Sequence, residues 1–207
     1  MILTFGTAWA YRLRSSGKVV SNCHKLPEKM FERQLLTVGE IVDEWKSLLL
    51  SLWEQNPELK LLFTVSPIRH WKDGAHGNQL SKATLLLAID ALQKEFPEHT
   101  AYFPAYEIMM DELREYRFYA DDMLHPSPAA VGYIWERFTE SMLSLDSLSV
   151  LQEWKEIRKA INHKPFQPQS KAYKQFISQT LLKMERLNEK FPYFDMTNEV
   201  EMIKKKF

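Results

Sequence analysis

Asp122 and His125 stand three residues apart in Asp121-Asp122-Met123-Leu124-His125-Pro126, directly before Ser127-Pro128 and an apolar helical pattern. A neutral imidazole in that position can take a proton from a hydroxyl. A carboxylate three residues earlier can hold its tautomer and stabilise the imidazolium that forms. The chemistry that follows is nucleophilic hydrolysis, with Asp122 and His125 as acid and base. No serine of the chain sits in a convincing nucleophile turn. The pair therefore reads as the base-bearing half of a hydrolase whose nucleophile-bearing half is expected upstream of Met1. Asp-x-x-His-Pro often arises by chance, and taken alone it reads first as two ordinary loop residues.

Other residues compete for a chemical role. Ser66 follows the apolar run Leu61-Leu62-Phe63-Thr64-Val65, a common place for a nucleophile, but Pro67 follows it. Proline has no N–H to offer an oxyanion at the residue after a nucleophile, so Ser66 reads as a structural hydroxyl. Arg69 and His70 read as substrate-contact or loop-ordering residues. His70, Asp73 and His76 are possible metal ligands by type, but nothing else in the sequence joins them to complete a tetrahedral set. No metal and no cofactor are expected. Cys23 and His24 are adjacent on an extended segment and point to opposite faces, so Cys23 reads as a half-buried core thiol.

The elements that must position these groups follow from periodicity. Ser127 suits an N-cap and Pro128 a first helical turn. Val131, Ile134, Trp135, Phe138 and Met142 then form one helical face. His125 precedes a proline and is biased to an extended backbone, just outside the helix start. Upstream, Ile2 to Phe5, Leu61 to Val65 and Thr100 to Phe103 read as strands. Tyr11 to Arg14 and Val19 to Ser21 flank Ser15-Ser16-Gly17-Lys18 as a hairpin. Thr37 and Glu40 make a capping box for a helix to about Gln55, with Ile41, Trp45, Leu48, Leu49, Leu52 and Trp53 on its face. A helix over 81–96 is apolar on much of its girth at Leu85, Leu86, Leu87, Ile89 and Leu92. Ala105 to Leu113 reads as a short helix. Strands alternating with helices predict an α/β fold, a parallel sheet covered on both faces. Such sheets bind ligands beyond the carboxyl ends of their strands. Gly6-Thr7, Ser66 to Arg69 and the Asp122/His125 loop all follow strands or near-strands.

After residue 146 the pattern is helical only. Leu151, Trp154, Ile157 and Ile161 make one stripe. Tyr173, Phe176, Ile177, Leu181, Met184 and Leu187 make another, with the break at Asn162 to Pro168. The predicted organisation is an α/β domain over 1–145 and a helical extension over 146–207. The stripes read as packing faces, able to cover the core, bind a partner or make a dimer.

Composition narrows the function classes. The chain has 207 residues, 45% of them hydrophobic, and one cysteine. That size supports a sizeable core, and a lone cysteine excludes an intrachain disulfide framework. No apolar run approaches the ~18 residues of a membrane span, and Met1 to Phe5 has no signal-peptide character. No membrane association is expected, and the cytoplasm is the default location. Net charge is zero, but residues 1–150 hold 15 Lys and Arg against 20 Asp and Glu, while residues 151–207 hold 12 against 7. The basic tail lacks a strong patch with interleaved aromatics, so no nucleic-acid partner is expected.

Four blocks in order, Met1 to Trp9, Asn22-Cys23-His24-Lys25, Thr64 to Gly74 and Asn78 to Ala83, together with the Asp122/His125 loop, resemble the GSCFA family over roughly residues 1–145. That family belongs to the wider SGNH (GDSL-like) hydrolase group. The resemblance implies a three-layer α/β/α sheet of flavodoxin-like type, of which this chain holds part. It also implies a small-molecule or glycan ester as substrate. Asp122 and His125 match the group's acid and base. Gly6, Thr7, Asn22, Arg69, His70 and Asn78 fall where substrate or oxyanion contacts are expected. The Gly-Ser-Cys-Phe-Ala string that names the family, which matches the nucleophile block, does not occur here. The wider group also places an oxyanion Asn after the strand, where this chain has Ala8, and losing one such donor can cost ~10²–10³ in turnover. Two function classes stay open: an ester hydrolase when joined to its nucleophile, or a non-catalytic interaction module. The resemblance further implies an interior strand missing beside Ile2 to Phe5. Leu3 and Phe5 would then lie on an open apolar edge able to self-associate.

Overall fold

A five-residue run without charge or glycine, Leu61 to Val65, forms the central strand of the sheet, because both of its faces can be covered by apolar groups. The computed structural model describes residues 1–21, 23 and 25–205, in two units, Met1–Phe138 and Thr139–Phe207. In chain order the first unit holds β1 (Ile2–Phe5), β2 (Trp9–Leu13), β3 (Val19–Val20), β4 (Phe31–Leu35), α1 (Val38–Gln55), β5 (Leu61–Val65), α2 (Gly74–Glu95) and β6 (Thr100–Phe103). The short α3 (Ala105–Glu107) continues as a π-helical turn over Ile108–Glu112, and α4 (Pro128–Met142) follows the Asp122/His125 loop.

β1, β5 and β6 pair in parallel in the order β1-β5-β6, with Phe5 opposite Val65 and Thr64 opposite Phe103. The period of two sends Leu61, Phe63 and Val65 to one face, into a core with Ile41, Leu49, Leu85, Ile89 and Leu92 of α1 and α2. Leu62 faces the other way, toward a second core of Phe103, Ile108, Met109, Leu113 and Ala130 with Ile134 and Phe138. Helices thus cover both faces of a parallel sheet, the α/β arrangement expected. Thr37 Oγ1 accepts from the Glu40 N–H at 3.2 Å and Glu40 Oε2 accepts from the Thr37 N–H at 2.7 Å, closing the capping box.

Several details differ from the sequence expectation. β1 ends the described sheet, but Leu3 and Phe5 are packed on the core, with Phe5 5.5 Å from Phe63 and 5.0 Å from Trp45. Ile2, at 58% exposure, and Thr4 are the strand residues left in solvent. Leu48 and Leu87 are also exposed, on the outer sides of α1 and α2. α2 begins at Gly74, seven residues before the expected start, because two glycines masked its first turns.

β4 was not expected, since Glu32-Arg33-Gln34 reads as polar. It pairs with β2 in a small antiparallel sheet ordered β3-β2-β4. Arg33 explains its place. The guanidinium lies 4.2 Å from the Trp9 ring centre and forms a two-pronged pair with Asp73, one prong being Nη2 to Oδ2 at 2.7 Å. The Asp73 side chain is only 3% exposed. Arg33→Ala would strand a buried carboxylate, and a loss of about 3 kcal/mol is expected. Urea unfolding checks this, and an unchanged midpoint would remove the pair from the account.

In the second unit, α5 (Leu145–Asn162), α6 (Lys171–Lys190) and α7 (Thr197–Lys204) bury their stripes on one another. Ile157, Ile161, Tyr173, Ile177, Met184 and Leu187 share a core with Met196 and Ile203. No described helix is long and apolar enough to cross a membrane.

Candidate functional site

The loop before α4 is a small closed hairpin. Tyr119 bridges Pro126, the Ala120 N–H donates to the His125 carbonyl at 2.8 Å, and the Ser127 N–H donates to the Phe118 carbonyl at 2.8 Å. Met123 takes the left-handed conformation at φ 60°, uncommon for a residue with a side chain, and its N–H donates to Ala120 O at 2.9 Å. This turn lets one carboxylate meet three donors. Asp122 Oδ1 accepts from the N–H groups of Leu124 and His125, both at 2.9 Å, and Oδ2 lies 2.5 Å from His125 Nδ1. The backbone N–H of His125, then that of Leu124, then the imidazole, hold the Asp122 carboxyl down to about 2. Its folded value lies below the ordinary 3.8, so its hold on the loop is complete above that range and is lost as pH falls through 2. An ionised Asp122 favours the tautomer in which Nδ1 donates to it. Both side chains are about half exposed, at 56% for His125 and 47% for Asp122.

The loops after β1 and β5 are held by the first half of α2. Asn78, Ser81 and Lys82, all at most 2% exposed, share the face that continues as Leu85, Ile89 and Leu92. Asn78 Oδ1 accepts from the His70 N–H at 2.9 Å. Ser81 Oγ accepts from the Ala8 N–H at 2.7 Å and lies 3.0 Å from Thr7 Oγ1. Lys82 Nζ donates to Gly6 O and Ser66 O, both at 2.7 Å, clamping the carboxyl ends of β1 and β5 together. Burial lowers the Lys82 ammonium to about 8. The His70 imidazole sits over the end of β1, where a Cβ on Gly6 would be 3.6 Å from Nε2. Partial desolvation and then the Lys82 charge lower its pKa, with Asp73 pulling the other way.

Arg69 joins this cluster to the Asp122/His125 loop. Its Nη2 donates to Tyr119 OH at 2.7 Å, and its Cζ lies 5.0 Å from the Tyr119 ring centre. Arg69, Trp71, Arg114, Tyr116, Tyr119 and Asp122 line one cleft of about 620 Å³. A second, apolar groove of about 370 Å³ runs along Ile2, Thr64, Pro67, Pro126, Val131 and Trp135.

The expected residues therefore separate into groups. Asp122 and His125 touch, and Arg69 reaches their loop. Gly6, Thr7, His70 and Asn78 gather about α2, but as a bonded scaffold. Both polar ends of Asn78 are engaged, Nδ2 donating to Gln79 Oε1 at 3.3 Å, and Thr7 Oγ1 accepts from the Trp9 N–H at 3.2 Å. Asn22 lies outside the described residues, as does His24. Ser66 Oγ accepts from the Ile68 N–H at 3.3 Å, a turn contact in keeping with a structural hydroxyl. Asp73 is engaged by Arg33, and the described residues hold no group of three potential metal ligands. Lys82, Ser81 and the Arg114 cleft escaped the sequence reading. A lysine on the apolar face of a helix was the available signal for the first.

No curated protein and no solved structure matches the chain. The GSCFA C-terminal domain model matches residues 154–207. The GSCFA family model matches residues 1–138, which contain the strand ends, the α2 clamp and the Asp122/His125 loop, and the chain belongs to the GSCFA family.

Proposed function

We propose that residues 1–138 carry the acid and base of an SGNH-like ester hydrolase, acting on an acyl or acetyl ester of a small molecule or glycan. The observation that carries this reading is the 2.5 Å contact between Asp122 Oδ2 and His125 Nδ1, with the carboxylate pinned by two backbone N–H groups. In the proposed reaction a serine hydroxyl attacks the ester carbonyl carbon while His125 Nε2 takes its proton. Asp122 stabilises the imidazolium. The tetrahedral intermediate collapses, and His125 returns the proton to the departing alcohol oxygen. Water then repeats the sequence on the acyl-enzyme. The nucleophile is assigned to a Gly-Ser-Cys-Phe-Ala block, a string absent from these 207 residues. The apolar groove at Pro126 suits the acyl portion, since it is lined almost without polar atoms.

A second reading, a non-catalytic interaction module, draws on Ala8. Its side chain is a buried methyl at 1% exposure, and its N–H is bonded to Ser81 Oγ, so position 8 donates nothing to an oxyanion. Labelling of the 207-residue chain with a fluorophosphonate probe tests where the nucleophile lies. No adduct is expected on this chain by itself. A stoichiometric adduct on Ser66 or another of its serines would make these residues a self-contained hydrolase and contradict the assignment.

A further inference from the structure

We propose that the cleft on the Asp122 side of the dyad is a recognition site for an oxyanion, a carboxylate or a phosphate, carried on a sugar ring. The substrate class is then an ester of an acidic or phosphorylated sugar. This rests on the ester-hydrolase reading for its chemistry, though not for its binding. Two guanidiniums, Arg69 and Arg114, enter the lining of the cleft, and Asp122 is its one carboxylate. That carboxylate accepts from His125 and two backbone N–H groups and forms no ion pair with either arginine. Three nearby acids are engaged by other partners. Glu115 pairs with Arg117 at 2.9 Å, Glu112 accepts from Tyr133 OH at 2.5 Å, and Glu107 accepts from Tyr102 OH at 2.8 Å. Among the described residues Arg114 has no ion pair.

Arg69 supplies a second, independent sign. Its Nη2 donates to Tyr119 OH at 2.7 Å, and its Cζ lies 5.0 Å from that ring's centre. The guanidinium is thus already oriented by stacking and one bond, which is how arginine recognises planar or tetrahedral oxyanions. Trp71 and Tyr116 are 57% and 79% exposed at the same cleft. Wide aromatic faces left in solvent offer apolar platforms for the C–H face of a sugar ring. At about 620 Å³ the cleft has room for a monosaccharide and its substituent.

The test is a titration of the full 207-residue chain with glucose, glucuronate, glucose 1-phosphate and inorganic phosphate. It is followed through the indole N–H signal of Trp71, assigned with Trp71→Phe. Glucuronate or glucose 1-phosphate should shift that signal, and glucose should need at least ~10-fold more ligand. A response to glucuronate alone assigns a carboxylate, and a response to glucose 1-phosphate alone assigns a phosphate. Either result supports the site. Arg114→Ala, at an exposed position, should weaken the binding at least ~10-fold, and raising the salt should weaken it further. Equal responses to glucose and the anions, inorganic phosphate binding as well as glucose 1-phosphate, or affinity unchanged in Arg114→Ala would overturn the proposal. Binding without ester turnover in the polypeptide that also carries the proposed nucleophile would instead sink the hydrolase reading and leave the site standing. Turnover without binding would do the reverse.

Discussion

Replacing His125 by alanine is expected to lower ester turnover by ~10⁴-fold or more in the polypeptide that joins these residues to their nucleophile, with KM little changed. In the proposed mechanism the imidazole takes and returns the proton, and its loss leaves only binding and oxyanion contributions. Asp122→Asn should also lower kcat severely, but by another route. An amide at 122 can still accept from the Leu124 and His125 N–H groups and keep the turn. It can also present its own N–H to Nδ1, which moves the ring proton to Nε2 and blocks the base. The signature is a kcat defect without loss of the loop fold, read from p-nitrophenyl ester kinetics alongside a thermal melt. A His125→Ala protein with unchanged turnover would end the assignment.

Lys82→Ala is expected to destabilise the first unit by about 3–4 kcal/mol. It leaves the Gly6 and Ser66 carbonyls without their donor and opens the space that the stem fills. Lys82→Met keeps most of the stem and isolates the carbonyl loss. The lysine also imposes a pH dependence. Its folded pKa, about 8, lies below the ordinary 10.5, so between those values the unfolded chain binds the extra proton. Stability therefore rises with pH from about 8 toward 10, by on the order of 1–2 kcal/mol after allowance for screening. Above that, Tyr102 and Tyr106 oppose it. Burial raises both phenols, so the unfolded chain loses their protons first and stability falls again. Urea midpoints at pH 7.5 and 9.5 check the rise. A rise that persists in Lys82→Met would place its origin elsewhere.

The sheet and its helices were legible because their signals are local. The uncharged β5 run, the Thr37/Glu40 box and Pro128 at a helix start each fix one element with little help from tertiary context. β4 was hidden because its reason for being a strand is distant, in the Asp73 partner of Arg33 forty residues on. The start of α2 was hidden by Gly74 and Gly77. Asp122 and His125 could be found because their bond is made within a single turn. The roles of Asn78, Ser81 and Lys82 could not, since each acts on a backbone group brought to it by the sheet. Arg114 and Tyr116 gave no pattern at all, because the cleft they share with Arg69 is assembled from separate loops.

The most direct test of the central claim is mass-spectrometric mapping of a fluorophosphonate adduct in the natural polypeptide that carries these residues. The account predicts one adduct, on the serine of a Gly-Ser-Cys-Phe-Ala block, formed in the parent and lost in His125→Ala. An adduct that forms equally fast without His125, or no adduct at all, would contradict it.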